Sequence, residues 1–287
     1  MTKIILKILR RPYELAKKNK FTAFVMFSVL EWYNNLVSKK YNLKSALTAD
    51  CLIFDEEKKE DICLITIAFN NEKLIELQIL KMREFLSDNY KLFIADNSNN
   101  PIKAGRIKEV CQKYQTDYIK LPKNPWRQPN LSHGVALNWV YNNYVLKKNP
   151  PVFGFLDHDI FPDKKASIWQ KFLDNTKMYG RVEKRFEDKK EFWYLWAGFC
   201  FFKTAYLIDR KVNFSSVVIS NPNYFVELDS GGGNYKSIYS KTNSAEVSAA
   251  RCGARDDGAE FLDEWIHIAH ASFKDVAEIN NFLNKIL

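Results

Sequence analysis

Apolar and polar positions along residues 60–165 alternate in blocks that spell out strands and helices in turn. ICLITIAF (62–69) is a short β-branched run that reads as a buried strand and stops at Asn70 and Asn71. EKLIELQILKMREFL (72–86) has helical spacing, KLFIADNSNN (91–100) is a strand followed by a polar turn, and IKAGRIKEVCQKY (102–114) is a helix. DYIKLP (117–122), HGVALNWVYNNYVL (133–146) and PVFGFLDHD (151–159) continue as strand, helix and strand. Four strands alternating with three helices predict stacked βαβ units, hence an α/β fold with a mainly parallel central sheet and helices on both faces. Ligands of such sheets bind beyond the carboxyl ends of the strands. Polar groups from three strand ends, Asn70 and Asn71, Asp96 and Asn97, and Asp157 and Asp159, would therefore meet at one edge.

After residue 165 the alternation weakens. The chain then offers a helix-like segment ASIWQKFLDNT (166–176), a charged stretch GRVEKRFEDKKE (180–191), an aromatic run FWYLWAGFCFF (192–202), the loop DSGGGN (229–234) and a terminal helix FKDVAEINNFLNKI (273–286). We read residues 51–287 as one domain with halves at about 60–165 and 166–287, preceded by a helical extension over 1–50. Its residues 3–47 form two helical stretches broken near Pro12.

Charge separates that extension from the rest. Of the net charge of +9, residues 1–47 carry +8 and the remaining 240 residues +1. A nucleic-acid partner is not expected, because the basic excess is confined to the extension. Aromatic and aliphatic residues interleaved with lysines suit a helix lying on an anionic membrane surface. They equally suit an extension packed on the domain with a solvated basic rim. The longest apolar run, FTAFVMFSVL (21–30), is about half of what a spanning helix needs, and no secretory signal is expected at the start. Five scattered cysteines outside any C-x-x-C spacing point to a reducing compartment. The expected location is cytoplasmic, with peripheral attachment to the inner face of the membrane as the alternative.

FLDHDIFP (155–162) is the sharpest chemical signal. On an extended strand, residues i and i+2 share a face, so Asp157 and Asp159 can reach one hard cation such as Mg²⁺ or Mn²⁺. Capping of the strand end is the plainer reading. The order of segments over residues 62–275 resembles the GT-A fold glycosyltransferases, especially glycosyltransferase family two. LITIAFNN resembles that family's first strand, placing Ala68 and Asn70 beside the nucleoside. FIADNSNN resembles its second, with Asp96 on the base and Asn97 next to it. NLSHGVALNWV resembles the stretch before the D-x-D strand, giving Asn130, Gly134 and Asn138 as donor-binding counterparts.

FLDHDIFP then matches the D-x-D itself, with Asp157 on the sugar or ribose side, His158 between the carboxylates, and Asp159 as direct metal ligand. His158 and His133 are structural by default. WYLWAGFCFF resembles the acceptor-facing segment through Trp196, Ala197 and Gly198; Trp193, Tyr194 and Trp196 either stack on sugars or belong to the core. VELDSGGGN falls where the family keeps its catalytic carboxylate, which makes Asp229 or Glu227 the base, with Ser230 and Gly231 beside it. His270 is the expected late metal ligand in preference to His267. The resemblance thus implies a metal-dependent, inverting transfer from a nucleotide diphosphate sugar to a glycan or lipid-linked acceptor, in polysaccharide biosynthesis. A nucleotidyltransferase is the enzymatic rival, although AFNNEKLIE lacks the glycine-rich loop such enzymes carry after their first strand. A membrane-surface or partner-binding module is the non-enzymatic one.

Overall fold

The computed structural model describes residues 20–45, 51–54, 59–221, 223–268 and 271. The first half of the extension, the terminal helix over 273–286 and His270 lie outside the described residues. Helix α1 (Lys20–Asn42) is followed by β1 (Cys51–Leu52), β2 (Ile62–Ala68), α2 (Glu72–Phe85), β3 (Tyr90–Asp96), α3 (Pro101–Lys113), β4 (Asp117–Lys120), α4 (Pro129–Val140) and β5 (Val152–Asp157). Asn71 and Asn100 cap α2 and α3 by accepting from backbone N–H groups of the first turn. Asn71 is thus a helix cap, not a group at the ligand edge.

The central sheet has eight strands, and β4, β3, β2 and β5 run parallel side by side within it. That is the third-second-first-fourth order of a Rossmann-like half. Alternate residues of each strand serve opposite cores. Cys63, Ile65 and Ile67 of β2 pack in the core that holds Val135, Leu137 and Val140 of α4. Ile62, Leu64 and Ala68 pack in the one that holds Ile75, Ile79 and Met82 of α2 and Ile107 of α3. Each fully buried aliphatic contributes about 2 kcal/mol, which fixes the register. The expected α/β architecture with a mainly parallel central sheet is what the chain adopts.

Beyond β5 the chain makes β6 (Ile160–Pro162), β7 (Met178–Glu187), β8 (Lys190–Lys203), β9 (Val217–Ser220), β10 (Phe225–Leu228), β11 (Val247–Ala249), β12 (Cys252–Ala254), β13 (Glu260–Leu262) and β14 (Trp265–His267). Strand β8 joins the sheet antiparallel to β5, and β7 pairs with it through a hairpin turned by Asp188 and Lys189, both at positive φ. Strands β12, β13, β14 and β6 form a second, four-stranded sheet.

Two expectations are corrected. The helix predicted over 166–176 is a single 3₁₀ turn, Trp169–Phe172, because Asp88 on the α2–β3 loop accepts from Ser167 Oγ and the Ile168 N–H and holds the segment down as a loop. The helix over 133–146 begins four residues earlier and runs into a π-helical segment, Tyr141–Val145. There the side-chain amides of Asn142 and Asn143 donate to the carbonyls of Asn138 and Trp139 and so compete with the α-helical ladder.

Candidate functional site

Strand register delivers the predicted edge. Ala68 stands opposite Asp96, Ile67 opposite Asp157, and Asp96 opposite Lys120, so the carboxyl ends of β2, β3, β5 and β4 lie level. Strand β5 ends at Asp157, and residues 158 and 159 form a turn into β6. The two carboxylates therefore do not share one extended strand as the i, i+2 spacing predicted. Two buried side chains make the turn. His158 packs inward with Nδ1 3.4 Å from the Ile67 carbonyl, and burial lowers its pKa. Gln78 of α2, fully buried, donates from Nε2 to the carbonyls of Asp157 (2.9 Å) and Ile160 (2.7 Å) and accepts from Thr66 Oγ1. Gln78 is a functional support that the sequence reading missed, and its signal was a lone amide among the apolar positions Leu74, Ile75, Ile79 and Met82.

Asp159 is 6% exposed. Burial, reinforced by the negative charge of Asp157 and offset by His267, pushes its carboxyl up to about 7. The β6–β14 pairing puts His267 beside this turn, with its Nε2 3.7 Å from Asp159 Oδ1. His267 Nδ1 lies 2.9 Å from Glu260 Oε2, and Arg181 donates to the same oxygen at 2.6 Å. Burial alone would raise Glu260, yet these two partners hold it below the usual carboxylate range. Four residues of β8, Trp196 to Phe199, stand opposite the single Arg181 of β7. This bulge re-aims both strands toward the site, with the guanidinium 5.3 Å from the Trp196 ring and that ring 5.2 Å from His267. Of the three aromatics considered for sugar stacking, Trp196 lies beside His267, and Tyr194 reaches the site only by its hydroxyl, which accepts from the Asp229 N–H. Tyr194 is fully buried, and Trp193 packs on Tyr239.

The first turn of α4 joins the two halves. His133 Nε2 is 3.4 Å from Asp157 Oδ1, and Asn130, three residues earlier on the same helix face, donates to Asp229 Oδ1 at 2.9 Å. Asp229 Oδ1 also accepts from the Ser230 N–H. Glu227 lies exposed on β10. Gly231, at φ 96°, brings the loop onto the β8 bulge, where the Ala197 N–H donates to the Ser230 carbonyl and a Cβ on Gly231 would sit 2.1 Å from the Leu195 carbonyl oxygen. Ser230, Ala197 and Gly198 are buried in this contact.

Several expected donor contacts are engaged inside the protein. Asp96 is fully buried and accepts from Tyr118 Oη (2.9 Å) and the Ser98 N–H (2.8 Å), with Lys120 Nζ 3.3 Å from Oδ2. Asn70, at positive φ, bridges to the Ser98–Asn100 loop, and Asn97 bonds Ser132 and Asn124. Asn138 holds Asn213, Phe214 and Ser215. Gly134 permits the same approach, since its Cβ would meet the Ser215 Cα at 2.6 Å.

No family model matches the sequence, and no curated protein matches it. Among solved structures, the chain is similar to the mannosyltransferase PcManGT from Pyrobaculum calidifontis in complex with GDP-Man and Mn²⁺, with TM-score 0.34 and 11% identity over 62% of this chain and 55% of that one. It is similar to the mannosyltransferase Ktr4p from S. cerevisiae, with TM-score 0.33 and 9% identity over 63% and 66% of the respective chains. The bifunctional glycosyltransferase WbbM gives TM-score 0.33 and 10% identity over 55% and 34%. Each match spans less than two thirds of the other chain. Likeness at this level assigns neither a family nor an activity, so function has to be argued from the site.

Among the described residues, no three His, Cys, Asp or Glu side chains form a ready cage for a metal ion, and none of the five cysteines is in a disulfide.

Proposed function

We propose that this protein is a glycosyltransferase that moves a sugar from a nucleotide diphosphate sugar to a glycan or lipid-linked acceptor, with inversion at the anomeric carbon. The observation that carries this reading is that the start of α4 links the carboxylate at the end of β5 to Asp229. Asp157 and Asp159 flank the turn after β5, and Asp229 is tied to the same helical turn that reaches Asp157.

The donor set suits Mn²⁺ or Mg²⁺. Such ions are commonly held by one or two carboxylates together with substrate phosphates and water, and Asp159 bears a burial penalty on its charge that a cation would relieve. Asp157 and Asp159 would hold the ion, with His267 as the imidazole nearest Asp159 among the described residues. When bound, the ion would neutralise charge on the departing diphosphate.

The chain's own groups supply the rest. The acceptor hydroxyl oxygen attacks the anomeric carbon while its proton passes to Asp229, and the bond from that carbon to the diphosphate oxygen breaks with its electron pair on the oxygen. Asn130 and the Ser230 N–H orient Asp229 through Oδ1, leaving Oδ2 to take the proton. Asp229 is preferred to Glu227 because it is linked to the helix that contacts Asp157, whereas Glu227 faces outward from β10. The half-exposed ring of Trp196 offers a face to a sugar. Asp96 would act by shaping the floor beneath a base through Tyr118 and Lys120.

The test is turnover of uridine, guanosine, adenosine and thymidine diphosphate sugars, read as release of the nucleotide diphosphate. One donor class should turn over, and Asp229→Asn should lower the rate at least about 100-fold while donor affinity stays within about threefold. Turnover of no donor would overturn the reading. Loss on Glu227→Gln with an active Asp229→Asn would move the base to Glu227.

A further inference from the structure

Helix α1 is apolar on two sides, and the fold uses one of them. Met26, Phe27 and Leu30 turn inward against Val218 and Phe225 of the β9–β10 pair. Tyr41 enters the main core and donates to the Pro122 carbonyl, and the Trp139 indole donates to the Lys44 carbonyl. On the opposite side, Val25, Val29, Trp32 and Leu36 are 47%, 59%, 63% and 39% exposed. At about 100° per residue these four form one continuous stripe, and Lys39 and Lys40, in the last turn, fall on its two margins. A surface helix ordinarily carries apolar residues on its core face alone. A second apolar stripe facing water marks a surface that something covers.

Charge selects the occupant. Residues 1–47, which include α1, account for +8 of the net charge of +9. A second copy docking stripe to stripe would bring two such segments together against their repulsion. An anionic bilayer offers the opposite charge and an apolar layer beneath it. We propose that the outer stripe of α1 docks this protein on an anionic membrane surface, with Val25, Val29, Trp32 and Leu36 entering the headgroup boundary and Lys39 and Lys40 on lipid phosphates.

The inner face of α1 packs on Phe225 of β10, the strand that carries Glu227 and leads into Asp229. Docking would therefore hold the acceptor half of the candidate site near the lipid. Among the described residues no helix is long and apolar enough to cross a membrane, so this attachment is peripheral. It stands apart from the chemistry proposed for the site, since the stripe shares no residue with it.

Cosedimentation of the full chain with vesicles tests the proposal, comparing phosphatidylcholine alone with phosphatidylcholine containing about one third phosphatidylglycerol. Binding should be at least about tenfold stronger to the anionic vesicles and should fall in roughly 0.5 M salt. The double variant Val29→Glu, Trp32→Glu should bind at least about tenfold more weakly. The variant Lys39→Glu, Lys40→Glu, which leaves the packed face untouched, should do the same. Equal binding to both vesicle types, or binding unchanged in the lysine variant, would overturn the proposal. A concentration-dependent dimer without vesicles, abolished by Val29→Glu, Trp32→Glu, would also overturn it and assign the stripe to a second copy.

Discussion

In the proposed chemistry Asp159 is a ligand of the cation, and its environment makes a prediction that needs no substrate. Its carboxyl in the metal-free protein is held at about 7 by burial and by Asp157, against 3.8 ordinarily. Between about pH 4 and pH 7 the folded protein keeps a proton that the unfolded chain has lost. Rising pH therefore removes stability across that window, and the loss persists above it. Asp159→Asn should be more stable than the parent at pH 8 by about 2–4 kcal/mol, with the gap closing toward pH 4. Thermal unfolding in a chelator at the two pH values measures this; a gap independent of pH would contradict it. Gln78 makes a second prediction. Gln78→Leu leaves the carbonyls of Asp157 and Ile160 and the Thr66 hydroxyl without their buried partner, which should cost about 3 kcal/mol. Denaturant unfolding should show the midpoint falling; a change below about 0.5 kcal/mol would show that the turn holds without the amide.

At the scale of elements, α4 carries the site. Asn130 and His133 on its first turn reach Asp229 and Asp157, and Gly134 and Asn138 seat it on the 213–215 loop. Gly134→Ala gains about 1 kcal/mol of helix propensity but sets a Cβ 2.6 Å from the Ser215 Cα, a backbone atom. Backbone displacement of this kind costs about 1–3 kcal/mol, so the clash should prevail, with net destabilisation near 1 kcal/mol and weaker donor turnover from a shifted helix. A variant at least as stable and active as the parent would contradict this.

The same elements explain what could be read from the sequence. Strands β2, β3 and β5 were legible because they are six or seven residues long and mainly apolar, with ends marked by Asn and Asp. The β6–β14 pair was not, because each strand has three residues and they lie about a hundred positions apart. His267 and Glu260 reach Asp159 only through that pairing, which is why a histidine outside the described residues was favoured instead. Arg181 was hidden in a charged stretch for the same reason, its partner Glu260 being distant in sequence. Asp96 was expected at the strand edge and Asn138 as a donor-binding counterpart; in the fold, Tyr118 and Lys120 of β4 and the 213–215 loop absorb their bonding capacity.

For the whole molecule, a parallel four-stranded block sets Asp157 and Asp159 at one edge, the second sheet brings an imidazole to them, and helix α1 packs along β9 and β10. Charge is partitioned accordingly, with acidic groups at the strand edge and the basic excess on the N-terminal segment. The central claim is that Asp157 and Asp159 hold a divalent cation together with a nucleotide diphosphate. Calorimetric titration of nucleotide diphosphates into the protein, with and without Mn²⁺, tests it most directly when the parent is compared with Asp159→Asn. The account predicts that one nucleotide binds only when Mn²⁺ is present and that the substitution abolishes the binding. Binding of no nucleotide in either condition, or binding indifferent to both Mn²⁺ and the substitution, would contradict it.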